Sequence, residues 1–148
     1  MDVGVADAVL GVHGEGQAVR LAAAITQAPD GDITALEKAI SLDPTDKRLW
    51  WSRGMALVSD GRYEEAIVSY DEALKIDPSN SSAWFDKGVC LHELGRYSEA
   101  LYSYDKAIEI NPDNSKFWNN KGIVLKRLVR YSEAIKCFDR AKELDERN

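Results

Sequence analysis

The stretch Ser81-Ser82-Ala83-Trp84-Phe85-Asp86-Lys87-Gly88-Val89-Cys90-Leu91-His92-Glu93-Leu94-Gly95-Arg96-Tyr97-Ser98-Glu99-Ala100, running on through Tyr104 and Ala107 to Asn111-Pro112, decides the fold. Trp84, Gly88, Leu91 and Leu94 recur at helical spacing, not at the alternation of a strand. Gly95 suits a C-terminal cap, because glycine adopts the left-handed backbone there without a Cβ penalty. A second helix is predicted from about Ser98 to Ile110. Asn111-Pro112 ends it, since proline lacks an amide hydrogen and drives the preceding residue out of helical geometry. Asp43-Pro44 and Asp77-Pro78 give the same stop, and Asn80, Ser81 and Asn114 are placed to cap the following helices.

The same pattern returns on both sides. Trp50, Trp84 and Trp118 stand 34 residues apart, as do Gly54, Gly88 and Gly122, then Ala66, Ala100 and Ala134, then Ala73, Ala107 and Ala141. Gly61-Arg62-Tyr63 returns as Gly95-Arg96-Tyr97 and as Val129-Arg130-Tyr131. The units are 47–80, 81–114 and 115–148, and each neighbouring pair agrees at 15 of 34 positions. A fixed period of this length means stacked supersecondary units, because one helix pair cannot bury its own apolar set. Gly88 and Ala100 are expected to face each other and let the two backbones approach. Trp84 is expected to be largely buried beside Leu91, Tyr97 and Tyr104.

This pattern resembles the tetratricopeptide repeat family. The middle unit carries it at Trp84, Lys87-Gly88, Leu91, Tyr97, Ala100, Tyr104, Ala107 and Pro112. The resemblance implies an all-α chain, an α-α superhelix or solenoid of stacked antiparallel helix pairs. Arg53, Lys87 and Lys121 stand where the family usually has an apolar residue. The last unit departs further: Val129 replaces the mid-unit glycine, Lys142 replaces Leu74 and Ile108, and Glu146 replaces the proline. A polar Lys142 suits a terminal repeat. Residues 31–44 resemble the second half of a unit shortened by about one turn. Residues 17–46 are therefore read as a degenerate helix pair, with 17–28 as its first helix, and 1–16 as a flexible or partly helical leader.

Catalytic and metal chemistry find no support in the residues. His13 and His92 are unrelated in position, and His92-Glu93 lacks the second histidine of a zinc protease motif. Gly14-Glu15-Gly16 follows no predicted strand. Cys90 and Cys137 fall at small or apolar places of their repeats and are read as packing residues. Glu64, Glu65, Glu99 and Glu133 open second helices, where carboxylates suit the positive helix end. No enzyme activity, metal or cofactor is expected.

Net charge is −6, which argues against general nucleic-acid binding. It is unevenly spread: residues 1–46 carry −6 and residues 115–148 carry +4. No stretch is apolar for long enough to span a membrane. Two cysteines and no secretory leader pattern lead us to expect a reducing, cytoplasmic setting.

The resemblance implies that first helices line a concave groove. That places Trp51, Met55 and Val58, then Phe85, Val89 and His92, then Asn119, Ile123, Lys126 and Arg127 along it, with Lys116 nearby. Trp51, Met55, Phe85, Val89 and Ile123 would supply apolar anchors for a protein or peptide segment, and Lys116, Lys126 and Arg127 would meet its acidic groups. Trp51, Met55 and Asp86 stand where a subset of the family has its carboxylate clamp, so chaperone-tail binding is not expected. A second reading is a self-assembling adaptor part of a larger protein or enzyme. Weak association would join the acidic front to the basic end, with an incompletely covered surface near Phe138 and Leu144.

Overall fold

The computed structural model describes residues 32–147, and all regular structure there is helical. The helices are α1 (Ile33–Leu42), α2 (Lys47–Ser59), α3 (Tyr63–Ile76), α4 (Ser81–Glu93), α5 (Tyr97–Ile110), α6 (Ser115–Arg127) and α7 (Tyr131–Arg147). The expectations for residues 1–16 and 17–28 lie outside the described residues. The chain divides into two compact units at Ile76–Asp77.

Helix starts follow their caps. Asp32, Asp46, Asn80 and Asn114 each accept a backbone hydrogen bond one turn inside, from Ala35 (3.3 Å), Arg48 (3.0 Å), Ala83 (3.1 Å) and Lys116 (3.0 Å) respectively. Second helices start differently. Arg96 precedes α5 with no side-chain cap; its guanidinium instead grips Glu99 through both carboxylate oxygens, at 2.9 and 2.6 Å. Arg62–Glu65 and Arg130–Glu133 repeat that fork. The Arg hydrogen bonds hold all three carboxyls below their usual range.

First helices end in a Schellman turn. Arg96 N–H donates to Leu91 at 2.8 Å and Gly95 N–H to His92 at 2.9 Å, with Gly95 at φ +76°. The turn at 125–130 has the same bonds, and Val129 occupies the left-handed position at φ 61°. A β-branched side chain there is strained, at a cost of about 1–2 kcal/mol.

The first unit contains α1, α2 and α3. Helix α1 is ten residues long against 14 for α3, which is the missing turn expected from the sequence. Leu36, Ala39 and Ile40 of α1 pack with Leu49 of α2, and Trp50 and Ala56 lean on that cluster. The second unit contains α4 to α7, each helix packed antiparallel on the next. Leu125, Ala134 and Cys137 form a core against which Leu101, Trp118 and Phe138 pack.

Two packing expectations are corrected. The repeat glycines face an aromatic ring, not the alanine. A Cβ on Gly88 would lie 2.5 Å from a ring carbon of Tyr104, and Gly54–Tyr70 and Gly122–Phe138 show the same fit. The absent side chain makes room for a ring that is buried at Tyr70 and Tyr104 and half-buried at Phe138. The tryptophans, in turn, are only half-buried. Each indole N–H donates to the carbonyl of the proline six residues earlier: Trp50 to Pro44 (2.8 Å), Trp84 to Pro78 (3.0 Å) and Trp118 to Pro112 (2.7 Å). Each tryptophan closes the loop that its proline opens. The residue before the proline tightens that loop with an Asx turn, as Asp77 does by accepting from Ser79 N–H at 3.1 Å.

Candidate protein-binding face

Every groove position expected from the sequence lies on a first helix and is at least partly exposed. In the first unit, α2 presents half-buried Trp51 and Val58 and exposed Met55, the last at 45%. In the second unit, α4 presents half-buried Phe85, Val89 and His92. Helix α6 presents half-buried Ile123 and exposed Lys116, Asn119, Lys126 and Arg127. The spacings 85–89–92 and 119–123–126 each trace one helical stripe.

Within the second unit the two stripes are brought together by aromatic packing. Phe85 lies on Phe117 with ring centroids 5.0 Å apart, and on Tyr104 at 5.6 Å. Phe117, an aromatic that the repeat does not require, is buried and forms the floor under Phe85. Asn120 stands beside the Tyr104 hydroxyl and favours its ionised form, but burial dominates and pushes that hydroxyl well above its usual range. Among the described residues the Tyr104 hydroxyl makes no hydrogen bond of good geometry. At the far end of α4, His92 packs on Tyr97 at 5.6 Å.

Charge on this face is uneven in a way that the repeat explains. The cations at the family's apolar place do structural work between helix pairs. Arg53 reaches back to Glu37 on α1 at 2.9 Å and also donates to Ser69 of α3 at 2.6 Å. Lys121 reaches back to Asp105 on α5 at 2.6 Å. These carboxylates stand at matching places of second helices two repeats apart, a spacing written in the sequence. Lys116, Lys126 and Arg127 make no ion pair among the described residues.

The cysteines are confirmed as packing residues. Cys90 is fully buried, and burial pushes its thiol up to about 12. Burial also raises that of Cys137, against a lowering by Lys121. Among the described residues no group of three His, Cys, Asp or Glu could hold a metal ion.

The tetratricopeptide repeat family profile matches residues 81–114 and again 115–148, and a second profile, described as TPR repeat, matches 54–95. The chain belongs to the tetratricopeptide repeat family. Helix pairs with this 34-residue register are an all-α helical-repeat fold, and the protein is a protein–protein interaction module. No curated protein sequence matches the chain. Among solved structures, the fold is similar to a crystal structure of MamA at 22% identity, covering 95% of this chain and 85% of that one with a TM-score of 0.85. A structure named MamA AMB-1 is 28% identical, covers 87% of this chain and 72% of its own, and gives a TM-score of 0.77.

At the end of the repeat Leu144 is buried and Phe138 is half-buried, and an exposed apolar surface lies beside Phe138 on the same helix. The exposed large apolar side chains of this repeat are Val129 at 68%, Tyr131 at 55% and Ile135 at 59%. Ile135 matches Leu101, which in the middle repeat packs against the core shared with α6.

Proposed function

We propose that this tetratricopeptide repeat protein works by binding, not catalysis, and that it takes a protein or peptide segment on its first-helix face. Val89 and Ile123, half-exposed at matching places of α4 and α6, carry this reading, with Phe85 beside them on its floor of Phe117 and Tyr104. Apolar side chains gathered on a rigid exposed face favour a partner that removes them from water. Trp51, Met55 and Val58 extend the same use of first helices to the first unit, and His92 and Asn119 supply polar edges. No helix among the described residues is long and apolar enough to cross a membrane. A cytoplasmic scaffold or adaptor is the setting we propose.

The test compares proteins captured by the wild type, Ile123→Asp and Met55→Asp, each first checked for unchanged helix content. Loss of the captured partner in either variant supports the reading. Full retention in both would sink it.

Exposed Tyr131 and Ile135 favour a second, weaker reading, self-association through the α7 surface. Sedimentation at low and high salt decides it: Ile135→Lys should remove any concentration-dependent increase in mass. A chain that stays monomeric at high concentration in both salts excludes it.

A further inference from the structure

Resting on the binding reading above, the chemistry of the partner can be narrowed by asking which charges of the second unit are already satisfied. Among its cations, Arg96 grips Glu99, Lys106 pairs with Glu109, Lys121 with Asp105, Arg130 with Glu133, and Arg140 with Asp113 and Glu143. Lys136, Lys142 and Arg147, on the second helix α7, are exposed without an ion pair among the described residues, and on the first-helix stripe of α6 no cation is paired either. Lys116 at its start and Lys126 and Arg127 at its end are exposed and have no ion pair among the described residues. Between them the stripe carries Asn119 and half-buried Ile123, which matches Val89 on α4 one repeat earlier.

We propose that α6 is the reading head of this face, and that its partner is an extended peptide with an apolar residue flanked on both sides by carboxylates. The spacing follows from helix geometry. Lys116 and Lys126 are ten positions apart, which at 1.5 Å per residue is about 15 Å. An extended chain rises about 3.3 Å per residue, so carboxylates four residues apart span about 13 Å, within reach of two flexible lysines. The residue midway between them then falls between Asn119 and Ile123, about 3 Å along the helix from Ile123 and within reach of that side chain. Its side chain shares the facing of the two carboxylates, because alternate side chains point the same way. Asn119 adds a reason for an extended partner: its amide can serve a backbone with unmet hydrogen bonds, which a helical partner does not offer. Exposed Glu93 at the end of α4 repels carboxylates there and sets their side of the face.

The experiment measures binding of synthetic peptides of about twelve residues by fluorescence anisotropy at low and high salt. One peptide has glutamates four apart around a leucine, one has both glutamates on the same side of the leucine, and one has glutamines in their place. A fourth has prolines at the spacer positions, which forbids a helix but not an extended chain. The flanked peptide should bind about tenfold more tightly than the glutamine peptide at low salt, and the advantage should shrink at high salt. The proline version should keep most of that affinity. Lys116→Gln, and Lys126→Gln with Arg127→Gln, should each weaken the flanked peptide up to about fivefold, the range of an exposed ion pair. They should leave the glutamine peptide unchanged.

If all charge patterns bind alike while Ile123→Asp abolishes binding, the inference about carboxylates is overturned and the binding face stands. If peptides bind and Ile123→Asp changes nothing, the face itself is wrong. Failure of every peptide to bind at millimolar concentration overturns the motif.

Discussion

The middle repeat, 81–114, and the last, 115–147, are built on one plan and diverge mainly at outward positions, with Val129 in the left-handed turn as an exception. Both have a tryptophan fastened to a proline carbonyl, a glycine beneath an aromatic ring, and an arginine–glutamate fork at the start of the second helix. Phe85 becomes Asn119, His92 becomes Lys126, and the mid-unit Gly95 becomes Val129. Inward columns are held by close packing, where a misplaced methyl group is felt. Outward columns are free to change, and they turn an aromatic stripe on α4 into a cationic one on α6.

The thiols test how firmly each repeat is closed. With its thiol pushed up to about 12, native Cys90 should carry about a thousandfold less thiolate than a free cysteine. At pH 8 it should react with a thiol reagent only through unfolding, and Cys137 should react first, since it is less completely buried and Lys121 partly offsets the effect of burial on its thiol. The sign for stability follows: a thiol raised by burial favours the fold below the free cysteine value. Stability is lost as pH climbs from about 8.5 towards 12. Equal rapid labelling of both would contradict the packing.

The glycine under the ring tests the shared plan most directly. Gly88→Ala should cost about 2–3 kcal/mol in denaturant melts, because Tyr104 is fully buried and cannot step aside. Gly122→Ala should cost less, since Phe138 is only half-buried. Equal costs would mean that the two ring pockets are the same. Trp84→Ala is expected to cost about 2–3 kcal/mol, less than a fully buried indole, and Trp118→Ala a similar amount.

The smallest effect has the opposite sign. Val129→Gly should stabilise by about 1 kcal/mol, by relieving the left-handed backbone. Gly95→Ala, at the matching place of the middle repeat, should destabilise by a similar amount. Melts of both variants check the pair, and a Val129→Gly protein less stable than wild type would show that the turn has adapted around valine.

Much of this was legible in the residues. Period, helix pairs, caps and the left-handed turn follow from local chemistry, and that chemistry is written in consecutive positions. The shortened α1 could be read from Asp32 to Pro44 for the same reason. What failed was the choice of who faces whom. Gly88 and Ala100 are both small, and spacing alone does not say that the ring of Tyr104, and not Ala100, fills the place of the missing Cβ. The tryptophans looked like core because indoles are large, yet a constant six-residue step from each proline was there to be read as a tether. Arg53 and Lys121 depart from the family pattern, and Glu37 and Asp105 stand ready for them one helix pair earlier. The face was legible as a set of positions, because the repeat predicts which places it leaves over. Its partner was not, because ion pairing across helices decides which cations remain available.

The tryptophan–proline tether has a consequence for how the chain reaches this state. A six-residue loop fastened by its own indole closes at little entropic cost, and within the second unit each helix then meets mainly the one beside it in sequence. Contact order is therefore low, so the rate-limiting barrier need not await pairing between distant segments. Folding of the second unit should be fast, and it can nucleate at any helix pair and spread to the next.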